Sequence, residues 1–80
     1  MTDRTVLITG CSSGIGEATA ARLVKSGWNV FATARKIETL EALDKAGCHP
    51  LALDVTSEES MSTAVTTVLA EAGRIDALVN

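Results

Sequence analysis

Apolar residues recur along the chain in two alternating rhythms. Short unbroken runs stand at Val6-Leu7-Ile8 and Ala77-Leu78-Val79, and apolar positions at helical spacing lie between the runs. A run that is apolar at successive positions implies burial on both faces, as in a parallel sheet covered by helices. On this basis Thr5 to Thr9, Trp28 to Thr33, His49 to Leu53 and Ile75 to Val79 are expected to be strands. The third carries Pro50 near its start, which suits an edge strand and not a central one.

The intervening segments read as helices. After Gly16 the pattern is helical from Glu17 to Lys25, with Gly16, Ala20, Leu23, Val24 and Gly27 on one stripe and Glu17, Arg22 and Lys25 facing water. Ile37 to Ala46 is expected to be a helix with Leu40 and Leu43 inward and a Glu41–Lys45 pair outside. Thr56-Ser57-Glu58-Glu59 looks like a capping box ahead of the stripe Met61, Ala64, Val65, Val68 and Ala72, which Gly73 ends.

The result is β-α-β-α-β-α-β with short connections, hence a parallel sheet. Right-handed crossovers and an edge position for Pro50 give strand order 3-2-1-4. The first two helices then cover one face and the third the other. One helix cannot cover four strands, and the fourth strand keeps a bare edge. The chain therefore reads as part of a doubly wound domain, with Asn80 falling within what looks like a longer protein.

Composition narrows the partners. The chain is 46% hydrophobic and 21% charged, as a globular chain is, and its 80 residues make one small domain near the lower limit of self-sufficiency. Net charge is −3 and the seven Lys and Arg are scattered, which argues against nucleic-acid binding. No apolar run approaches the roughly 18 residues of a membrane span. Met1-Thr2-Asp3-Arg4 leads into a strand and not into a signal peptide, so a cytoplasmic location is expected. Cys11 and Cys48 lack metal-ligand spacing and read as reduced thiols, and no metal site is assigned.

Candidate chemistry begins where the first run ends, at Thr9-Gly10-Cys11-Ser12-Ser13-Gly14-Ile15-Gly16. Strand, glycine-rich turn and helix together aim bare N–H groups and a positive helix end at an anion such as a phosphate. Gly10 permits a tight turn, Gly14 lets backbone approach a pyrophosphate, and Gly16 allows close packing. Ser12 and Ser13 add hydroxyl donors. The plain alternative is a glycine turn without a ligand, but the flanking strand and helix favour a dinucleotide site. His49 reads as a strand-entry residue and Cys11 as a small filler, since neither has a chemical partner nearby in the pattern.

With these residues in place, the sequence resembles the classical short-chain dehydrogenase/reductase family along its whole length. The resemblance rests on Thr9-Gly10-x-x-x-Gly14-Ile15-Gly16, on Ala34-Arg35, on Leu53-Asp54-Val55-Thr56 and on Ala77-Leu78-Val79-Asn80. It implies the N-terminal portion of a Rossmann-type doubly wound α/β domain. It also implies that Ser12, Ser13 and Ile15 meet the pyrophosphate and adenosine ribose. Asp54 and Val55 would flank the adenine, the Asp54 carboxylate accepting from its amino group, and Asn80 would lie beside the ribose–nicotinamide half. For Asp54 the alternative is a carboxylate that merely favours a helix N-terminus.

The end of the second strand bears on cofactor choice. NAD-specific members of the family carry an acidic residue there, whereas this chain has Ala34, followed by Arg35 and Lys36. A guanidinium with no carboxylate beside it can meet a ribose 2′-phosphate, a charge-assisted hydrogen bond worth about 1.5–3 kcal/mol. NADP is therefore expected over NAD. The plain alternative is solvated charge at a helix start.

The family's Tyr-x-x-x-Lys pair, its upstream serine and a further asparagine fall beyond the stretch that Asn80 begins, and this chain contains no tyrosine. No residue here is assigned a catalytic role. The expected function is the NADP-binding portion of an oxidoreductase acting on a carbonyl or secondary alcohol, with a lipid- or steroid-like substrate as the hint from the resemblance and assembly into homo-oligomers only through helices not present. The alternatives are a non-catalytic nucleotide-binding module and an inert fragment.

Overall fold

A computed structural model describes residues 4–12 and 14–80. Ser13, one of the expected phosphate-binding residues, lies outside the described residues.

Thr5–Ile8 (β1) and Asn29–Ala34 (β2) are the central strands, and their apolar runs are buried as expected. His49–Ala52 (β3) flanks β2 and Ala77–Val79 (β4) flanks β1, so the order is β3-β2-β1-β4 with every pairing parallel. Val6 stands between Val30 and Ala77, and Pro50 pairs with Ala32 on the edge.

The pleat divides the core in two. Val6, Ile8, Val30 and Ala32 face Ala20 of the first helix (α1, Gly14–Lys25) and Leu43 of the second (α2, Glu41–Lys45). Leu7 and Phe31 face Val68 of the third helix (α3, Glu58–Ala72), with Leu51, Val65 and Ile75 packed around them. Two helices on one face and one on the other is the expected layering. The uncovered part of the α3 face shows at Leu78, paired with Leu7 yet 55% exposed.

Several boundaries differ from expectation, each for a local reason. α1 begins at Gly14, three residues before Glu17, because Gly14 enters the helix from a left-handed φ of 64°. Gly14, Ile15 and Gly16 therefore form its first turn. The helix expected over Ile37 to Ala46 is split into a 3₁₀ turn, Ile37–Leu40, and the short α2. Neither start has a side-chain cap, and Leu40 (φ −100°, ψ 9°) breaks the helical path while burying its side chain. Glu41 and Lys45 do pair, at 3.2 Å, but both are largely exposed, so the pair contributes only about 0.3–0.5 kcal/mol.

The N-cap is displaced by one residue from the expected Thr56, and the reciprocal bond of a capping box is not made among the described residues. Ser57 is the N-cap, accepting from the Ser60 N–H at 3.1 Å. The Ser60 hydroxyl in turn accepts from the Asp54 N–H at 2.9 Å. At the other end Gly73 adopts a φ of 78° and donates to the Leu69 carbonyl, as expected for the stop.

β3 ends at Ala52, although the Leu53 N–H still donates to the Ala34 carbonyl. β4 begins only at Ala77, because Asp76 has another task. Its N–H donates to the Thr5 carbonyl, and its carboxylate accepts from the Thr5 N–H at 2.7 Å and from Arg74. His49 stacks on Phe31 with ring centroids 4.8 Å apart, so it covers the core edge and its place in the fold is one of packing.

Candidate functional site

A cleft of about 790 Å³ opens at the C-terminal ends of β1, β2 and β3. Gly10 and Ser12 form one wall, Ala34, Arg35, Lys36 and Thr39 another, and Leu53 with Val55 the third. Between β1 and β4 the connections pass from one face of the sheet to the other, the switch point where open α/β sheets take their ligands.

The β1–α1 loop owes its shape to backbone rules. Gly10 has a φ of 66°, a conformation that costs side-chain-bearing residues, and a Cβ at Gly10 or Gly14 would meet nothing within 4 Å. That side of the loop is open, as a cradle for a ligand must be. Gly16 differs: a Cβ there would overlap the Gly10 carbonyl and lie 3.2 Å from the Thr9 oxygen. Its expected packing role holds, but the partner is the loop itself and not the strand. The first turn of α1 is thereby pressed against the loop, with its unpaired N–H groups at the helix start.

Beneath the loop lies a buried polar knot. The Cys11 N–H donates to the Thr33 carbonyl at 2.8 Å, and the Thr33 hydroxyl donates to the Ile8 carbonyl, also at 2.8 Å. The Cys11 thiol points to the same Ile8 oxygen at 3.4 Å. Burial pushes the Cys11 thiol up, with a smaller push from the Glu17 charge, so it stays protonated and fills space. Thr33 was not singled out in the sequence. Its signal is a lone hydroxyl inside the buried and otherwise apolar run from Val30 to Ala34.

At the β3–α3 turn, Asp54 Oδ1 accepts from the Thr56 hydroxyl at 2.6 Å and from the Thr56 N–H at 2.9 Å. These two bonds, with a lesser pull from the Arg35 charge, hold the Asp54 carboxyl below the usual carboxylate range. The side chain is thus fixed and ionised, and Oδ2 makes none of the hydrogen bonds found among the described residues. Val55 beside it is 53% exposed on the cleft, an apolar surface of the kind a flat ring can cover.

Of the residues singled out in the sequence, the cleft lining brings together Gly10, Ser12, Arg35, Lys36 and Val55. Gly14 and Gly16 begin the helix beside it, and Asp54 lies between the lining residues Leu53 and Val55. Ile15 is 86% exposed on the first turn of α1 and is not part of the lining. Asn80 stands on the other side of β1, where the Thr9 hydroxyl donates to its Oδ1 at 2.9 Å. Thr39 was missed, since a threonine inside an expected helix carries no signal of its own.

The residues fit a dinucleotide: a glycine cradle with open space, a positive helix start, two cations and a fixed carboxylate surround one cleft. No helix among the described residues is long and apolar enough to cross a membrane.

Comparison with known proteins agrees with this geometry. The family model for short chain dehydrogenases matches residues 4–80. A serine 3-dehydrogenase from Rhizobium radiobacter is 46% identical over 79 residues, covering 95% of this chain and 32% of that enzyme. An NADPH-dependent 1-acyldihydroxyacetone phosphate reductase from Schizosaccharomyces pombe is 50% identical over 60 residues, 74% of this chain and 20% of that enzyme. A short-chain dehydrogenase structure from Streptomyces avermitilis superposes with a TM-score of 0.93 at 40% identity, over 99% of this chain and 30% of its own. The chain therefore spans about a third or less of the length of these relatives.

Proposed function

The chain belongs to the short-chain dehydrogenase/reductase family, and from that premise we propose that it holds NADP(H) for an oxidoreductase acting on a carbonyl or secondary alcohol. Residues 1–80 are, in this reading, the N-terminal cofactor-binding part of a single Rossmann domain. The family's catalytic tyrosine and lysine belong to the portion of such enzymes that this chain does not span.

The observation that carries the reading is the composition of one cleft wall. Ala34 ends β2 with no carboxylate, and Arg35 and Lys36 follow it on the same cleft as Gly10 and Ser12. Bound there, the nicotinamide cofactor supplies or takes up the hydride.

The chain's own groups bind and orient. N–H groups and hydroxyls from Gly10 to Gly16, with Ser12, Ser13 and Ile15 among them, meet the pyrophosphate and adenosine ribose. Asp54, its Oδ1 held by Thr56, accepts from the adenine amino group with Oδ2, while Val55 packs on the ring. Asn80, oriented by Thr9, lies toward the ribose–nicotinamide half. Arg35 and Lys36 take the 2′-phosphate.

The relatives' names support a carbonyl or hydroxyl substrate without agreeing on one, the 3-hydroxyl of serine being a primary alcohol. One is named for serine and the other for an acyl-lipid ketone with NADPH. A lipid-like substrate accords with the second. A cytoplasmic location accords with two free, buried thiols, Cys11 and Cys48.

Titration of the chain with NADPH and NADH tests the cofactor reading. NADPH should bind about tenfold more tightly, the lower end for a charge-assisted bond because Arg35 is exposed. Arg35→Ala should erase the difference. Equal affinities in the wild type, or an unchanged preference in the variant, would overturn it.

A further inference from the structure

The residues that would meet the 2′-phosphate sit on a segment with little to hold it. Arg35 to Thr39 are all exposed, between Ala34 at the end of β2 and the fully buried Leu40. Lys36 has extended backbone angles, φ −112° and ψ 107°, and gives the 3₁₀ turn no side-chain cap.

The start of the turn is tied instead by Thr39. Its N–H donates to the Lys36 carbonyl at 3.0 Å and its hydroxyl donates to the same oxygen at 2.7 Å. Thr39 also lines the cleft together with Arg35 and Lys36.

The chemistry of these bonds decides what Thr39 can do. A carbonyl oxygen only accepts, so the hydroxyl proton is committed to Lys36. A phosphate monoester near neutral pH is mostly a dianion, which also only accepts. Thr39 therefore has no proton left to donate to a 2′-phosphate, and it acts through the turn and not by touching the ligand.

Resting on the NADP reading above, we infer that Thr39 is a positioning residue for the 2′-phosphate. By tying the Lys36 carbonyl twice, it fixes the backbone from which Arg35 and Lys36 reach into the cleft. The pyrophosphate and adenine walls are built on other elements, the β1–α1 loop and the β3–α3 turn. The contribution of Thr39 is consequently confined to the one group that distinguishes NADPH from NADH.

The test is a pair of titrations, NADPH and NADH, on the 80-residue chain and on Thr39→Val, Thr39→Ala and Thr39→Ser. Loss of one neutral hydrogen bond predicts NADPH affinity about three- to tenfold lower in Thr39→Val. NADH affinity should not change, and Thr39→Ser should restore the wild-type ratio. Thr39→Ala removes the hydroxyl without the branched methyls and should behave like Thr39→Val, with melting temperatures recorded for each. Equal losses for both dinucleotides would make Thr39 a general support and overturn the inference, as would an unchanged ratio in a wild type that prefers NADPH. A wild type with no preference for NADPH would overturn the NADP reading itself, and this inference with it.

Discussion

The β1–α1 loop and the turn after β2 face each other across one cleft, yet they are stabilised in different ways. The loop is a backbone structure, pressed from one side by Gly16 and tied from below by Cys11 and Thr33, whose contacts are buried. The turn is exposed from Arg35 to Thr39, and Thr39 ties its start twice through the Lys36 carbonyl. On the proposed reading, the loop would serve any dinucleotide, whereas the charges of the turn would serve only one that carries a 2′-phosphate. Damage to the first should affect binding as such, and damage to the second should affect only the choice between cofactors.

The largest effect is expected from Gly16→Ala. The new Cβ overlaps the Gly10 carbonyl, and α1 can relieve it only by moving off the loop. Overpacking of this kind costs about 1–3 kcal/mol. Calorimetric titration should show NADPH and NADH weakened together, about ten- to hundredfold, and the melting temperature should fall. A change in one cofactor alone would break the contrast between loop and turn.

Next comes Ala34→Asp, which puts a carboxylate on the turn's wall of the cleft. It should raise NADH affinity and lower that of NADPH, moving their ratio by about tenfold or more. The melting temperature serves as a control. Parallel losses for both cofactors would show that the wall does not discriminate.

Thr33→Val is a smaller disturbance of the loop. It removes the hydroxyl that donates to Ile8 and keeps the volume. A loss of about 1 kcal/mol is expected, lowering the melting temperature by about 4–8 °C for a domain of this size. The NADPH to NADH ratio should stay constant.

The smallest effect lies outside the cleft, in the acid limb of stability. Hydrogen bonds from Arg74 and then from the Thr5 N–H hold the Asp76 carboxyl below its usual range. A carboxylate with a lowered folded pKa adds stability above the ordinary value near about 3.9 and loses it as pH falls through the lowered one. Melting curves of the wild type should therefore weaken below about pH 4, and Asp76→Asn should flatten that limb. Asp54 should add a similar slope.

Much of the architecture was legible because it depends on periodicity. Unbroken apolar runs marked β1 and β4, a proline marked the edge strand β3, and the stripe from Met61 to Ala72 marked α3. What escaped the sequence depends on pairings that no local pattern encodes. The Asp76–Thr5 clamp joins residues 71 apart, and the Thr33–Ile8 bond joins residues 25 apart. Local competition accounts for the rest. Thr56 and Ser57 both satisfy a capping pattern, and Thr56 is drawn to the Asp54 carboxylate, leaving Ser57 as the cap. The glycine motif announced its turn, but only the structure shows that Gly16 packs against Gly10.

The clamp between Asp76 and Thr5 has a consequence for the order in which the chain can fold. β1 is an interior strand, with β2 on one side and β4 on the other, and its first N–H finds its acceptor only in Asp76. During synthesis β1 must therefore wait for β4 before its second edge is satisfied. Pairings that close so long a stretch of chain form slowly. Until β4 arrives, the glycine cradle at the end of β1 rests on a half-paired strand, so cofactor capture should follow the pairing of β4 and not precede it.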